Sequence, residues 1–194
     1  TQCNPISNYF VKLPLLNGNQ LDLKTANTTN GFDLSLAKAI TISFYIKFFG
    51  NVNGAVSKNP EIISFSSTLK LYYDTLSPQT YLSLSAGQTC YFKDTSFQSY
   101  IGQWIPIIIV NYISGSNYNV YPNIFTLSVN NIDIKRQLPL PNEGLPITQL
   151  IFGSEIAALV GDLRIYNKAI QGVYNRIMLQ DELSSIDLML SIHM

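Results

Sequence analysis

Apolar and polar residues alternate along much of this sequence. In the clearest run, residues 40–48, every second residue from Ile40 to Phe48 is apolar, and Thr41, Ser43 and Lys47 are among those between. Because successive side chains of a strand point to opposite faces, the run predicts a half-buried antiparallel strand. Residues 69–74 and 125–129 alternate in the same way.

Similar but weaker patterns predict further strands separated by short turns. Asn130-Asn131 lies between two alternating runs and predicts a type I′ hairpin turn, which needs positive φ at both central positions. About a dozen short strands at this spacing predict an all-β fold, a two-sheet antiparallel sandwich. The further strands are expected at residues 9–16, 61–66, 80–84, 89–93, 104–112, 132–135, 150–153 and 162–166.

The C-terminal residues follow a different pattern. Leu179, Leu183, Ile186 and Leu190 fall at helical spacing, with acidic residues between them. We therefore expect a sandwich over residues 1–170 and a helical tail over residues 171–194. The tail either packs on the sandwich or extends from it to a partner or a longer parent protein.

Several phrases, in order, resemble one superfamily of sandwiches. They are residues 40–47, Ile62-Ile63-Ser64-Phe65, residues 102–107, residues 127–131, Ile151-Phe152-Gly153 and the passage GDLRIYNKAI at residues 161–170. Together they resemble the concanavalin A-like lectin/glucanase superfamily, in its laminin G-like (pentraxin-like) branch. The resemblance implies a jelly-roll fold and a lectin-like binding or adhesion role, and the helical spacing of the tail adds a C-terminal helix to this fold.

Some residues within these phrases have a structural interpretation. Leu163 and Ile165 are expected to face the core while Arg164 faces outward. Gly153 and Gly161 fit places where a side chain would obstruct close packing. Trp104 leads a nearly apolar strand, so we interpret it as a core aromatic rather than a platform for stacking a sugar.

The charge distribution and the short apolar runs argue against nucleic-acid binding and membrane insertion. The 12 Lys and Arg residues balance the 12 Asp and Glu residues, and no basic stripe is present to contact nucleic-acid phosphates. The longest strongly apolar run, residues 104–110, is far shorter than the roughly 18 residues that a spanning helix needs. We therefore expect glycan or protein partners, with no nucleic acid and no membrane insertion.

The sequence argues against an enzyme. Glycoside hydrolases on this fold would place two carboxylates at i and i+2 of one strand, and no two acidic residues here have that spacing. His193 is the only histidine and lies next to the last residue, which is a poor place for a catalytic base. Neither a paired zinc-ligand spacing nor a phosphate-binding glycine loop is present.

Calcium is the one cofactor that the resemblance implies, since many relatives bind it through loop oxygens. The candidate ligands are Asp94, Asn142 and Asp162, which would have to come from separate loops. The competing interpretation is that they are ordinary turn residues and an acidic residue of the closing strand, in which case the chain has no cofactor.

Two groups of aromatic residues are candidates for ligand binding. Asn117, Tyr118, Asn119 and Tyr121 lie in a segment whose phenol and amide groups suit glycans or proteins, although a plain hairpin loop explains them too. The second group is expected to divide between the core and one sheet face, and any exposed cluster would be a contact patch. Its members are Tyr72, Tyr73, Tyr81, Tyr91, Phe92 and Phe97.

Two features, a possible disulfide and a glycosylation sequon, favour an extracellular or cell-surface location. Cys3 and Cys90 could form one disulfide, with two unpaired thiols as the alternative, and Asn27 begins the only N-glycosylation sequon. The chain starts at Thr1, as expected of a mature product or an excised segment. The leading hypothesis is a non-catalytic lectin-like module; the alternative is a structural component of a larger surface assembly.

Overall fold

The strands predicted from the alternating pattern form two antiparallel sheets that pack against each other. A computed structural model of the chain describes residues 11–13, 22–23, 39–51, 59–74, 76, 79–84, 87–93, 97–113, 123–138, 145, 147, 149–153, 155–166, 168–170 and 188–192. Strands account for most of these residues, with one short 3-10 helix at Gln98–Tyr100. The predicted all-β class with two antiparallel sheets is confirmed.

Sheet A has seven strands and sheet B has six. Sheet A contains β1 (Val11–Leu13), β3 (Ala39–Asn51), β8 (Trp104–Ile113), β9 (Asn123–Val129), β10 (Ile132–Leu138), β12 (Ile156–Tyr166) and β13 (Leu188–Ile192). Sheet B contains β2 (Asp22–Leu23), β4 (Glu61–Ser64), β5 (Lys70–Asp74), β6 (Gln79–Ser83), β7 (Thr89–Lys93) and β11 (Leu150–Phe152). The order is β1-β12-β3-β8-β9-β10 in sheet A, with β13 also on β12, and β2-β11-β4-β5-β6-β7 in sheet B.

The core lies between the two sheets. The five apolar residues that alternate from Ile40 to Phe48 on β3 are each at most 3% exposed. Phe44 on β3 meets Phe152 on β11 edge to face, with ring centroids 5.2 Å apart. Phe92 on β7 contacts Phe125 on β9 at 5.5 Å. Such aromatic pairs join the sheets and stabilise the core beyond the burial of their area.

Two predicted backbone features are confirmed. Asn130 and Asn131 have φ of 50° and 67° and join β9 to β10 as the expected two-residue hairpin turn. A Cβ atom at Gly153 would overlap the backbone carbonyl of Glu61, so only glycine allows β11 to lie this close to β4.

The GDLRIYNKAI passage contains a bulge in β12. The pairing of β12 with β3 shifts between Gly161 and Arg164, and Asp162 within the shift has a φ of 53°. Leu163 and Ile165 are fully buried, while Arg164 is only partly buried and pairs with Ser43 on the outer face of β3. The predicted orientations of these three residues are confirmed.

The outer face of β3 is more buried than its alternating pattern predicts. Thr41 and Ser43, expected on a solvent-facing side, are both 0% exposed. The chain that follows β12 returns to this face: the Thr41 hydroxyl donates to the Lys168 carbonyl (2.6 Å) and accepts from the Ile170 amide (2.9 Å). Tyr166 is also only 2% exposed, so sheet A is covered on both faces in this region.

The predicted C-terminal helix is wrong for the part of the tail that is described. Residues Leu188–Ile192 form β13, whose backbone pairs with β12 from Leu163 to Tyr166. Every second residue from Leu188 to Ile192 is apolar, a spacing that also fits a strand. β1 pairs only with residues 158–160 of β12, so the rest of that edge can pair with a second short strand. Residues 171–187 lie outside the described part of the chain. Among the described residues, no helix has the length and apolarity to cross a membrane.

The interpretation of Trp104 as a core aromatic is also wrong. Trp104 pairs with Lys47, and both residues belong to the faces of their strands that point away from sheet B. The indole is partly buried rather than enclosed. The apolar character of β8 misled the prediction, because both faces of this strand carry apolar residues: Ile105 and Ile107 face the core, while Ile108 and Val110 are buried on the outer face.

Candidate functional site

Three tyrosines form a row on the outer face of sheet B, and we call them the tyrosine row. Tyr72 on β5 lies directly opposite Tyr81 on β6, which lies opposite Tyr91 on β7. The rings of Tyr72 and Tyr81 stack with centroids 5.3 Å apart and planes 17° apart. The rings of Tyr81 and Tyr91 are 5.4 Å apart and tilted by 43°.

The prediction that the second aromatic group divides between core and face is confirmed. Tyr73, Phe92 and Phe97 are at most 2% exposed and belong to the core. Tyr72 and Tyr73 are consecutive, so the pleat of β5 sends one ring outward and the other inward. The same alternation separates Tyr91 from Phe92 on β7. Local pattern thus determines which rings face solvent, and strand register places the three outer ones side by side.

Polar residues border the tyrosine row on both sides. Along β5, β6 and β7, one neighbouring row holds Lys70, Ser83 and Thr89, and the other holds Asp74, Gln79 and Lys93. With strands about 4.8 Å apart and roughly 7 Å between rows, the nine residues cover a surface of roughly 10 by 14 Å. We call this surface the sheet B face.

At the β4 side, the row ends in an ion pair. The Nζ atom of Lys70 lies 2.9 Å from Oε2 of Glu61, and this hydrogen bond raises the pKa of Lys70. Glu61 lies opposite Tyr72, whose pKa is raised mainly by burial and further by the Glu61 carboxylate. Burial also raises the pKa of Tyr81. The phenols of Tyr72 and Tyr81 are therefore neutral hydrogen-bonding groups at physiological pH.

At the β7 side, the row is open. Tyr91 is 45% exposed, and β7 is the last strand of sheet B. The backbone carbonyl of Tyr91 accepts a 3.1 Å hydrogen bond from Nε of Arg136 on β10, and this bond links the edges of the two sheets. Within the described residues, Tyr81 is the only ring that contacts Tyr91, and nearly half of the Tyr91 side chain is exposed.

This arrangement suits non-covalent binding. An aromatic ring offers an apolar face with a hydroxyl handle, and hydroxyl, amide and ammonium groups surround it. Sugars have both apolar C–H faces and polar rims, so they match such a surface. Asp74 is the only acidic residue among the nine of the sheet B face, and it accepts a hydrogen bond from the Leu76 amide. Glu61, on the neighbouring strand β4, is paired with Lys70.

The predicted binding loop cannot be placed against this face. Asn117, Tyr118, Asn119 and Tyr121 all lie outside the described residues. Their role in ligand binding stays a prediction. The sequence predicts that the second aromatic group divides between the core and one sheet face. It does not predict that Tyr72, Tyr81 and Tyr91 lie side by side, because cross-strand neighbours depend on strand register and turn length.

Of the three candidate calcium ligands, only Asp162 is described. Its carboxylate bonds to Arg164, with Oδ1 3.3 Å from Nε and Oδ2 3.2 Å from Nη2. Burial lowers the pKa of Arg164, but the Asp162 carboxylate and the Tyr166 phenol together more than offset this, so the pKa is raised overall. Asp162 thus ties the bulge of β12 to its own strand. Asp94 and Asn142 lie outside the described residues, among which no cluster of three potential metal ligands occurs.

The predicted covalent features are only partly described. Cys90 lies on β7 as a half-buried thiol, and burial raises its pKa, which lowers its reactivity. Its predicted partner Cys3 and the glycosylation candidate Asn27 lie outside the described residues. The Cys3–Cys90 bridge and the glycan at Asn27 stay predictions.

Comparison with known proteins identifies the fold rather than a family. Neither the protein-family models nor the curated protein sequences contain a match to this chain. Among solved structures, the binding domain of botulinum neurotoxin serotype D matches with a TM-score of 0.54 and 16% identity, over 79% of this chain and 38% of that one. The binding domain of botulinum neurotoxin DC, in complex with rat synaptotagmin II, matches with a TM-score of 0.52 and 14% identity, over 88% and 45%.

A third match is a Bacteroides ovatus protein provisionally described as carbohydrate-binding. Its TM-score is 0.58 with 10% identity, over 90% of this chain and 48% of that one. This chain thus spans less than half the length of these structures. At such low identity the likeness is one of fold, and the laminin G-like assignment stays a prediction. The chain is a two-sheet β-sandwich of the kind present in these binding domains.

Proposed function

We propose that this chain is a non-catalytic, lectin-like module that binds glycans on the sheet B face. The observation that supports this proposal most strongly is the tyrosine row, which ends at the exposed ring of Tyr91. An extracellular or cell-surface location belongs to the same proposal, since glycans are displayed there.

The physical argument rests on how the surface is built. The tyrosines project from three adjacent paired strands, so their positions are fixed by backbone hydrogen bonds before any ligand arrives. Ser83, Thr89 and Gln79 border the row with neutral donors and acceptors. A sugar ring on Tyr91 would bury apolar C–H groups while its hydroxyls reach these side chains.

A glycan array tests the proposal. We expect the isolated chain to bind a subset of glycans, and Tyr91→Ala to weaken that binding about tenfold through loss of ring contact. The matched control is Phe49→Ala, since Phe49 is 48% exposed but lies on sheet A. Both variants should keep the thermal midpoint of the wild type. Blank arrays with and without calcium, or equal losses in the two variants, would contradict glycan binding on this face.

One observation favours a protein partner as the second candidate. Phe49 and Ile101 are both 48% exposed, and a hydrogen bond from the Gly102 amide to the Phe48 carbonyl brings their backbones close together. Exposed apolar side chains that cluster are typical of contact surfaces. If this chain serves as a structural component of a larger assembly, Phe49→Ala rather than Tyr91→Ala should disrupt that assembly.

A further inference from the structure

Charge is distributed unevenly along the tyrosine row. At the β5 end, Lys70 is neutralised by Glu61, and Asp74 adds a negative charge. At the β7 end, Lys93 is exposed on the same face as Tyr91 and two residues further along the strand. Arg136 approaches the same end of the row from β10. The sheet B face is therefore neutral to acidic at one end and basic at the other.

Two backbone carbonyls hold the guanidinium of Arg136 in place. Its Nε donates to the Tyr91 carbonyl at 3.1 Å and its Nη1 donates to the Lys135 carbonyl at 2.9 Å. Both acceptors are uncharged. The described residues provide no carboxylate in ion-pair contact with Arg136 or Lys93. A fixed guanidinium loses little conformational freedom when it binds an anion, and its remaining N–H groups suit a carboxylate or a sulfate.

We propose that the β7 end of the tyrosine row selects acidic sugars, with the sugar ring on Tyr91 and its carboxylate or sulfate on Lys93 and Arg136. This inference rests on the proposed function, because it specifies the ligand of the same site. Residues on one face of a strand repeat about every 7 Å, so a ring and its exocyclic acid group fit between Tyr91 and Lys93. Charge complementarity then sets the orientation, with the rest of the glycan directed towards Tyr81 and Tyr72.

An array of matched glycans tests the inference. Each core oligosaccharide is presented in neutral, sialylated and 3-O-sulfated forms, and binding is measured at about 50 mM and about 500 mM salt. We expect an acidic form to bind about fivefold more tightly than its neutral counterpart at low salt, with the advantage shrinking at high salt as exposed charges are screened.

Substitutions distinguish the contribution of Lys93 and Arg136 to binding from that of the Tyr91 ring. Lys93→Gln and Arg136→Gln should each lower the ratio of affinity for acidic forms to affinity for neutral forms, and Arg136→Lys should restore part of that ratio. Lys47→Gln is the matched control, because it removes one positive charge from the outer face of sheet A and should leave the preference intact. If Arg136→Gln lowers the folding stability, Lys93→Gln decides alone, since Lys93 is exposed.

The outcomes distinguish this inference from the proposed function. Equal binding of neutral and acidic forms, with Tyr91→Ala still weakening both, would overturn the acidic preference and keep glycan binding. A preference for acidic forms that is unchanged in Lys93→Gln, or that Lys47→Gln removes to the same extent, would also overturn the inference. Arrays blank for every form would overturn both proposals.

Discussion

At the scale of single residues, backbone conformation explains the asparagines at the β9–β10 turn. Asn130 and Asn131 both have positive φ, a region where an ordinary side chain crowds the backbone. Asparagine tolerates this conformation better than other residues with a side chain, and glycine tolerates it best. The turn fixes the register of β10, which in turn carries Arg136 to the edge of β7.

Substitutions at Asn131 test this account. Asn131→Gly should raise the free energy of unfolding by about 0.5 kcal/mol, because Asn-Gly is the preferred type I′ pair. Asn131→Ala should lower it by about 1 kcal/mol, because alanine is strained at a φ of 67°. Denaturant unfolding measures both. If the alanine variant is as stable as the glycine variant, the turn is not held in this conformation in solution.

At the scale of elements, two buried hydroxyl residues of β3 differ in their hydrogen bonding. Thr41 and Ser43 are both fully buried on the outer face of the strand. The Thr41 hydroxyl bonds to the backbone of Lys168 and Ile170, whereas the Ser43 hydroxyl has no partner in the described part of the chain. Thr41 thus anchors the segment after β12 to the sheet, and Ser43 contributes no such bond.

The two hydroxyls form a matched pair of test sites. Thr41→Val should lower the free energy of unfolding by about 1–3 kcal/mol, because it leaves the Lys168 carbonyl and the Ile170 amide without their partner. Ser43→Ala should change it by less than about 0.5 kcal/mol. Hydrogen exchange at the Ile170 amide should accelerate only in the Thr41 variant. Equal destabilisation of the two variants would show that Thr41 acts by packing alone.

The elements also show what the sequence could and could not predict. β3 and β7 were predicted closely, since one apolar face against one polar face produces a clear period of 2. The pattern did not predict β2, the first half of β12 or β13. β2 is only two residues long, residues 156–161 lack polar alternation, and the apolar residues of the tail also fit a helical spacing. The tyrosine row depends on which residues of β5, β6 and β7 lie opposite each other, a non-local property that periodicity does not contain.

At the scale of the whole molecule, the sandwich separates two different surfaces. The outer face of sheet A is largely buried around Thr41, Ile108 and Val110. The outer face of sheet B presents the tyrosine row with polar borders and a basic edge. This asymmetry supports our proposal that ligands bind on the paired strands of sheet B rather than at the segment that contains Asn117 and Tyr121.

Chemical-shift mapping tests that central claim most directly. The isotope-labelled chain is titrated with the oligosaccharide that binds most tightly on the array, and backbone amide shifts are followed. We expect the perturbed amides to cluster on β5, β6 and β7 around Tyr72, Tyr81 and Tyr91, and Tyr91→Ala to raise about tenfold the ligand concentration that the perturbation needs. Perturbations confined to residues 117–121, with β5, β6 and β7 unchanged, would contradict that claim and return the binding site to the loop.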